Sequence, residues 1–391
     1  MKRSILALVL LLVPVAGAQV YTITDLGPLS PTAINSWAQV VGNYNNEAYL
    51  WTFGHTISLG ILPGGTFSQA TGINDLVMVT GTADGPGIAF SPPPGSPHPG
   101  ASGPNQQCSY LIQPFLWTSR NGIAGLGIIG AADDEYLTPA DWCEAPFYGA
   151  GINDFGEITG YTGFLGDEFQ WGFNWTRSKG YVTLFGGSWT PTFAMAVNNH
   201  GQIVGQNSDE FDEPNATAWK NNVPTELGVL PADYQLASSA VSVNDLGQIV
   251  GWAAVPPSSS ESCYEYLSEC LIHAVSWTPS GTISDLGTLP GDTVSSAVKV
   301  NLFGLVVGDS GSSVVASSEP GNPYPEGPLE VVGRPFIWSE RTGMRDLNTL
   351  IRPNSGWVLG SATDINVWGQ IVGSGTLNGQ THGYLLTPRA F

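Results

Sequence analysis

Charge is scarce in this 391-residue chain: Asp, Glu, Lys and Arg together make up 11%, and only four lysines occur. That excludes a surface of amphipathic helices, whose solvent faces are rich in Lys, Glu and Arg. Apolar residues at helical spacing are missing too, which excludes stacked helical repeats. Beyond the first residues, no run is apolar enough to span a bilayer as a helix, which takes about 20 residues. There is no Cys-x-x-Cys, no phosphate loop and no dinucleotide fingerprint. The five histidines are scattered, and none has a partner at metal-ligand spacing. Basic residues are few, 12 against 32 acidic, and the formal charge is −20. A field of that sign repels phosphate, so neither nucleic acid nor an anionic membrane is an expected partner. It suits solubility outside the cell and would accept cations, metal ions or neutral glycans.

What the chain does have is 50 Gly, 29 Pro and apolar segments dominated by Val, Ile, Thr, Trp, Tyr and Phe. Those side chains suit a pleated, half-buried surface. Residues 1–18 read as a secretory signal peptide: Lys2 and Arg3, an apolar core from Ile5 to Val13, then Ala16-Gly17-Ala18 before Gln19. The expected mature protein, 19–391, is exported, extracellular and without a membrane span. Its charge becomes −22 once Lys2 and Arg3 are lost. Cys108, Cys143, Cys263 and Cys270 are an even number in an exported chain, which suggests disulfides. Cys263 and Cys270 could staple one loop, and Cys108 would then pair with Cys143; the other pairings stay open.

Internal repetition decides the fold. Seven segments read INSWAQVVG, INDLVMVTG, INDFGEITG, VNNHGQIVG, VNDLGQIVG, VNLFGLVVG and INVWGQIVG. Their asparagines are Asn35, Asn74, Asn153, Asn198, Asn244, Asn301 and Asn366. Seven residues after each stands Gly42, Gly81, Gly160, Gly205, Gly251, Gly308 or Gly373. A further apolar strand follows and ends in Trp51, Trp117, Trp175, Trp219, Trp277 or Trp338, with Leu386 in the last copy. A fourth segment closes on DLG or a relative, such as Asp285-Leu286-Gly287. Four short antiparallel strands per unit are the make-up of a propeller blade. Tyr21 to Gly27 reads as a spare fourth strand, and the last unit stops after its third. The expected fold is all-β: a single-domain, seven-bladed β-propeller closed by the N-terminal strand, with a monomer as its expected state.

The same motifs resemble the bacterial extracellular HAF-repeat family, in which DLGTLPGG, GIND-x-GQVVG and HAFLW recur in order. Here Asp285 to Gly291 reads DLGTLPG and Leu59 to Gly65 reads LGILPGG. Only His273 and His382 occupy the family's histidine position; Glu47, Gln113, Trp171, Asn215 and Arg334 fill it elsewhere. The resemblance implies a repeat architecture and no particular enzymatic activity.

The repeated Asn, Gly and Trp read as structural: turn bridging, close backbone approach and packing between blades. Ala38 and Val77 replace the usual turn glycine in two copies. Trp142, Trp171, Trp189, Trp252 and Trp357 stand outside the repeated position. The first four are the candidate ligand-binding residues, since exposed aromatic faces stack on sugar rings. Acidic clusters at 133–135, 167–168 and 209–213 could hold calcium but do not match a calcium-loop spacing. Gly308-Asp309-Ser310-Gly311 resembles a protease nucleophile segment without its histidine partner. Insertions near 84–108, 129–147, 256–269 and 311–332 break the period, and all but the second join strand two to strand three. One loop-rich, disulfide-stapled face is therefore expected. Three functions follow for such a scaffold: a non-enzymatic binder of an extracellular glycan or protein, a secreted carbohydrate-active enzyme, or a structural envelope component.

Overall fold

The structure is a computed structural model, and it describes residues 20–90, 105–129, 143, 146–162, 170–185, 191–208, 214–230, 237–255, 271–315 and 330–389. Seven sheets, each built on an antiparallel four-strand meander, form a β-propeller, and in the second Ile128–Ile129 adds a short parallel pair to Val79–Phe90. The first strands of the seven blades are Ser30–Ile34, Ser68–Ile73, Phe147–Ile152, Thr192–Val197, Ser238–Val243, Val294–Val300 and Trp357–Ile365. Each touches the first strand of the next blade, and the seventh touches that of the first. These strands therefore form the inner wall of a closed ring.

Closure is made as the chain ends suggest. Tyr21–Asp25 pairs with Gln380–Pro388 and supplies the fourth strand of the last blade, with Tyr21 opposite Pro388 and Asp25 opposite Tyr384. Leu26 N–H donates to the Gly383 carbonyl and continues the seam. Gln380–Pro388 is thereby paired on both sides, and Tyr21–Asp25 becomes the outer strand of the last blade, as the fourth strand is in the others.

Every first-to-second strand ladder slips register at the same place. The extra residue is Thr32, Thr71, Ala150, Met195, Val241, Val298 or Thr363. Directly before each bulge, the paired residue on strand two is the repeat glycine. A Cβ there would overlap a strand-one carbonyl oxygen: that of Ser30, Gln69, Tyr148, Phe193, Ser239, Ser296 or Ser361. The glycine spacing thus records one bulge repeated seven times.

The repeated tryptophans pack against the preceding blade. Trp117 joins Leu50 and Leu59, and Trp277 joins Val204 and Leu227. The Trp219 indole N–H donates to the Phe185 carbonyl at 2.8 Å, and that of Trp277 donates to the Gly228 carbonyl at 3.2 Å. Leu386 is too small for this role, and Leu347, Leu350 and Ile351 join it to fill the gap between the last two blades.

The buried carboxyl Asp364 lies at the seam between the last blade and the first. Its Oδ2 accepts the Ile34 N–H at 2.9 Å, and Lys299 Nζ lies 3.8 Å from Oδ1. Burial pushes the Asp364 carboxyl above its ordinary 3.8, against the opposing pull of Lys299 and two backbone N–H groups. A raised folded-state value favours folding only while the group is protonated. That contribution is full below the ordinary carboxyl value and is lost as pH rises through the folded one. Asp364→Asn keeps an acceptor for Ile34 without the charge. Its melting temperature is expected to gain on the wild type as pH rises from about 3.5 to 7. A constant gap across that range would mean that Lys299 fully offsets the burial.

Two readings of the insertions change. Residues 84–90 and 106–108 lie in the long strands Val79–Phe90 and Gln106–Thr118, paired out to Ala89 opposite Gln106, not in a loop. Likewise, 311–315 and 330–332 continue the strands Val306–Val315 and Glu330–Ser339. Alternating paired side chains continue the ladder beyond the blade, with slips at Gly85/Gly87 and Gly311/Ser313. In a meander, the two–three connections and the four–one connections leave from the same end, so all four insertions issue from one face. Cys108 and Cys143, which belong to two of them, are joined in a disulfide. Residues 1–19, Cys263, Cys270 and the three acidic clusters lie outside the described residues.

Candidate functional site

The opposite face is built by the seven strand one–two turns, and the repeat asparagine organises each of them. Its side-chain oxygen accepts the N–H groups of the residues two and four ahead, at 2.8–3.1 Å in all seven copies. Its amide then donates to the backbone carbonyl of the next blade's asparagine. The order is Asn35, Asn74, Asn153, Asn198, Asn244, Asn301, Asn366 and back to Asn35, at 2.8–3.2 Å. Seven blades are thus tied by an unbroken ring of amide bonds. Asn244→Ala would strand the Leu246 and Gln248 N–H groups and the Asn301 carbonyl. The expected cost is about 3 kcal/mol, readable as a lower urea midpoint with an unchanged slope.

The turn also needs a positive φ three residues after the asparagine. Gly156, Gly201, Gly247, Gly304 and Gly369 provide it, and Ala38 and Val77 adopt it at φ 59° and 58°. A non-glycine residue there costs about 1–2 kcal/mol, and glycine's extra freedom in the unfolded chain returns about 0.4–1. Ala38→Gly is therefore expected to stabilise by about 0.5–1 kcal/mol, seen as a higher melting temperature. At Val77 the side chain also packs on the core, so the same change gains less there.

One residue after the asparagine, side chains reach the axial mouth. Asp75, Asp154 and Asp245 each accept the backbone N–H of the preceding blade's equivalent residue, at 2.8–2.9 Å. Asn199 sits between Asp154 and Asp245 and donates to both. Leu302 and Val367 hold this position in the last two blades, so the mouth is acidic on one side and apolar on the other.

Two residues after the asparagine, the side chains stand out from the face. They are Trp37, Leu76, Phe155, His200, Leu246, Phe303 and Trp368. The six apolar ones are 64–80% exposed. The Trp37 indole N–H is held by the Asp75 carbonyl at 3.0 Å, and that of Trp368 by the Ser36 carbonyl at 2.9 Å. Both rings therefore have their polar atom occupied and their carbon surface open. A cleft of about 710 Å³ opens beside this crown between Leu246, Phe303, Trp338 and Arg341. Spacing from the asparagine is the signal that could have revealed the crown. Its residue types read as core.

The two candidate tryptophans within the described residues, Trp171 and Trp252, lie away from this face. Trp142 and Trp189 lie outside the described residues. Trp171 is half-buried at the start of a third strand, at the insertion end. Trp252 is 2% exposed among Ile272, Val294 and Ala254, because strand two is covered on both faces along this stretch. Its ring offers no face to a ligand. At the insertion end, His273 Nδ1 meets Asp285 at 2.9 Å, and His382 Nδ1 meets Asp25 at 2.8 Å. Arg334 and Asp346, at the same two positions, pair at 3.0 Å, and Glu47 meets Ser58. This pair staples strand three to strand four. Ser310 is buried, with its hydroxyl donating to Asp292 and Val294 and accepting from Leu289. That is a packing role in place of a nucleophilic one. Among the described residues, no three His, Cys, Asp or Glu side chains are grouped to hold a metal. Among them, too, no helix is long and apolar enough to cross a membrane.

No family model matches the chain, and no curated protein matches it. Solved structures do. An oligogalacturonate lyase in complex with manganese aligns over 94% of this chain and 91% of its own, at 11% identity and a TM-score of 0.51. A virginiamycin B lyase from Staphylococcus aureus aligns over 93% and 99%, at 10% identity and a TM-score of 0.48. At such identities the likeness is one of fold: this chain is a seven-bladed β-propeller, and its architecture is similar to that of the oligogalacturonate lyase.

Proposed function

We propose that the protein is a non-enzymatic extracellular binding module, and that it binds through the face of the strand one–two turns. The crown carries this reading. Nine large apolar side chains are more than 60% exposed among the described residues, and all but Val358 lie on this face. Turn tips without a contact role are ordinarily polar, and soluble proteins seldom gather exposed apolar groups away from an interaction site. The carboxylates nearest the mouth accept backbone N–H groups, which gives them a part in holding the blades together.

The test is a quadruple variant, Trp37→Ser, Phe155→Ser, Phe303→Ser and Trp368→Ser. Wild type and variant are passed over polysaccharides, envelope material and lipid vesicles, with retention and released reducing ends both scored. Loss of retention at an unchanged melting temperature supports the reading. Equal retention by the variant moves the site elsewhere, and release of reducing ends makes the protein an enzyme.

A further inference from the structure

Resting on that reading, we infer that the crowned face docks on a lipid bilayer surface carrying anionic headgroups, with the tips of Trp37, Leu76, Phe155, Leu246, Phe303 and Trp368 entering the interfacial layer. Three observations carry it.

The first is shape. The six tips occupy one equivalent position on turns tied together by the asparagine ring, so they project to a common level. An annulus of separate apolar points matches a flat, deformable surface better than a discrete ligand. Tryptophan and phenylalanine are side chains that settle at the boundary between headgroups and acyl chains. The two indole N–H groups, already bonded within the protein, need no partner there.

The second is charge. Outside the crown run the strand three–four turns, which carry Arg120, Arg177, Lys179, Lys220 and Arg341, all exposed. Exposed Arg389 follows the third strand of the last blade at the same end. These six are half of the chain's 12 basic residues, and Glu340 is the one acidic residue in those turns. A basic rim around an apolar annulus complements anionic headgroups around an acyl layer. The same rim opposes a second copy docked face to face, since basic turns would meet basic turns.

The third is distance. Net charge argues against an anionic surface, but among the described residues more carboxylates stand at the far face than at the crown's own, where Asp75, Asp154 and Asp245 are turned to the axial mouth and accept backbone N–H groups. Strands of five to seven residues put roughly 17–23 Å between the two faces. The screening length at physiological salt is about 8 Å. A flat surface against the crown therefore meets the basic rim outside the annulus and the mouth carboxylates Asp75, Asp154 and Asp245 inside it, with the far-face carboxylates screened out.

The experiment uses purified mature protein and flotation with vesicles of phosphatidylcholine alone or with about a third phosphatidylglycerol. It also follows tryptophan emission and includes two variants. Wild type is expected to float with the mixed vesicles, at least tenfold more than with phosphatidylcholine, and to shift its emission to the blue. Raising salt from about 0.05 to 0.5 M should weaken the binding. The quadruple crown variant should lose flotation at either salt. Arg120→Gln, Arg177→Gln, Lys179→Gln, Lys220→Gln and Arg341→Gln together should remove the preference for phosphatidylglycerol. Absence of wild-type flotation, or equal flotation by the crown variant, overturns the inference. Crown-dependent retention on a polysaccharide without flotation overturns it too, while leaving the binding-module reading in place. Crown-dependent dimerisation without flotation assigns the face to a second copy and sinks the lipid inference.

Discussion

Gly205→Ala is expected to destabilise the fold by more than about 4 kcal/mol, the range of the most damaging single substitutions. The added methyl would overlap the Phe193 carbonyl oxygen and crowd the Phe193 carbonyl carbon and the Ala194 Cα, all backbone atoms. A flexible side chain could swing aside, but a bulged inner strand cannot. It is fixed to its own blade by Ala194 opposite Gly205, and it touches the first strands of both neighbours. Relief would require moving a strand of the inner wall, and the wall is continuous. The check is equilibrium unfolding in urea, followed by tryptophan emission. Gly228→Ala serves as the control, since a Cβ there meets nothing within 4 Å and only its φ of 79° opposes the change. Gly205 has no positive φ, so a loss there no larger than at Gly228 would mean that the Phe193 carbonyl moves aside at little cost and that steric overlap does not set the glycine requirement.

Removing residues 20–26 is expected to lower the melting temperature by more than about 10 °C and to broaden the transition. The deletion takes away five ladder pairs and the buried Tyr21 and Leu26, each worth roughly 1.5–3 kcal/mol of burial. It also bares the strand Gln380–Pro388 as an open edge, which invites association between copies. A synthetic peptide of residues 20–29 added to the truncated chain should restore much of the loss. A truncated chain that melts like the full one would show that the other six blades hold the ring without the seam.

Sequence reading reached the parts of this fold that backbone geometry dictates. The seven glycines are invariant because no side chain fits opposite the bulge, and the seven asparagines because only a short amide can both bridge its turn and reach the next carbonyl. The spare strand at Tyr21–Asp25 could be counted because the last repeat lacked one. The cysteine pair Cys108 and Cys143 was one of several possible pairings, and only spatial proximity selects it. The extension of strands through Phe90 and Val315 was hidden by glycine and serine content that reads as loop. The crown was hidden for a different reason. The position is Trp, Leu, Phe or His in different copies, with no one residue type to mark it, and apolar residues beside a strand look like core. Only their constant offset from the asparagine marks a tip that must face outward. Trp252 shows the converse: a tryptophan outside the repeated position reads as available, yet its strand is covered on both faces by packed neighbours.

The pairing of Tyr21 with Pro388 also determines how the molecule responds to load. The two strands at the seam are antiparallel, and Val20 and Arg389, which leave them, depart from the same end, where the Arg389 N–H donates to the Val20 carbonyl. Tension drawn between those two residues opens the ladder one pair at a time, from Tyr21 toward Asp25, like a zip. The same tension never loads the five pairs together in shear. Pulled by its ends, the ring would part at the seam under little force, with the other six blades still folded behind it.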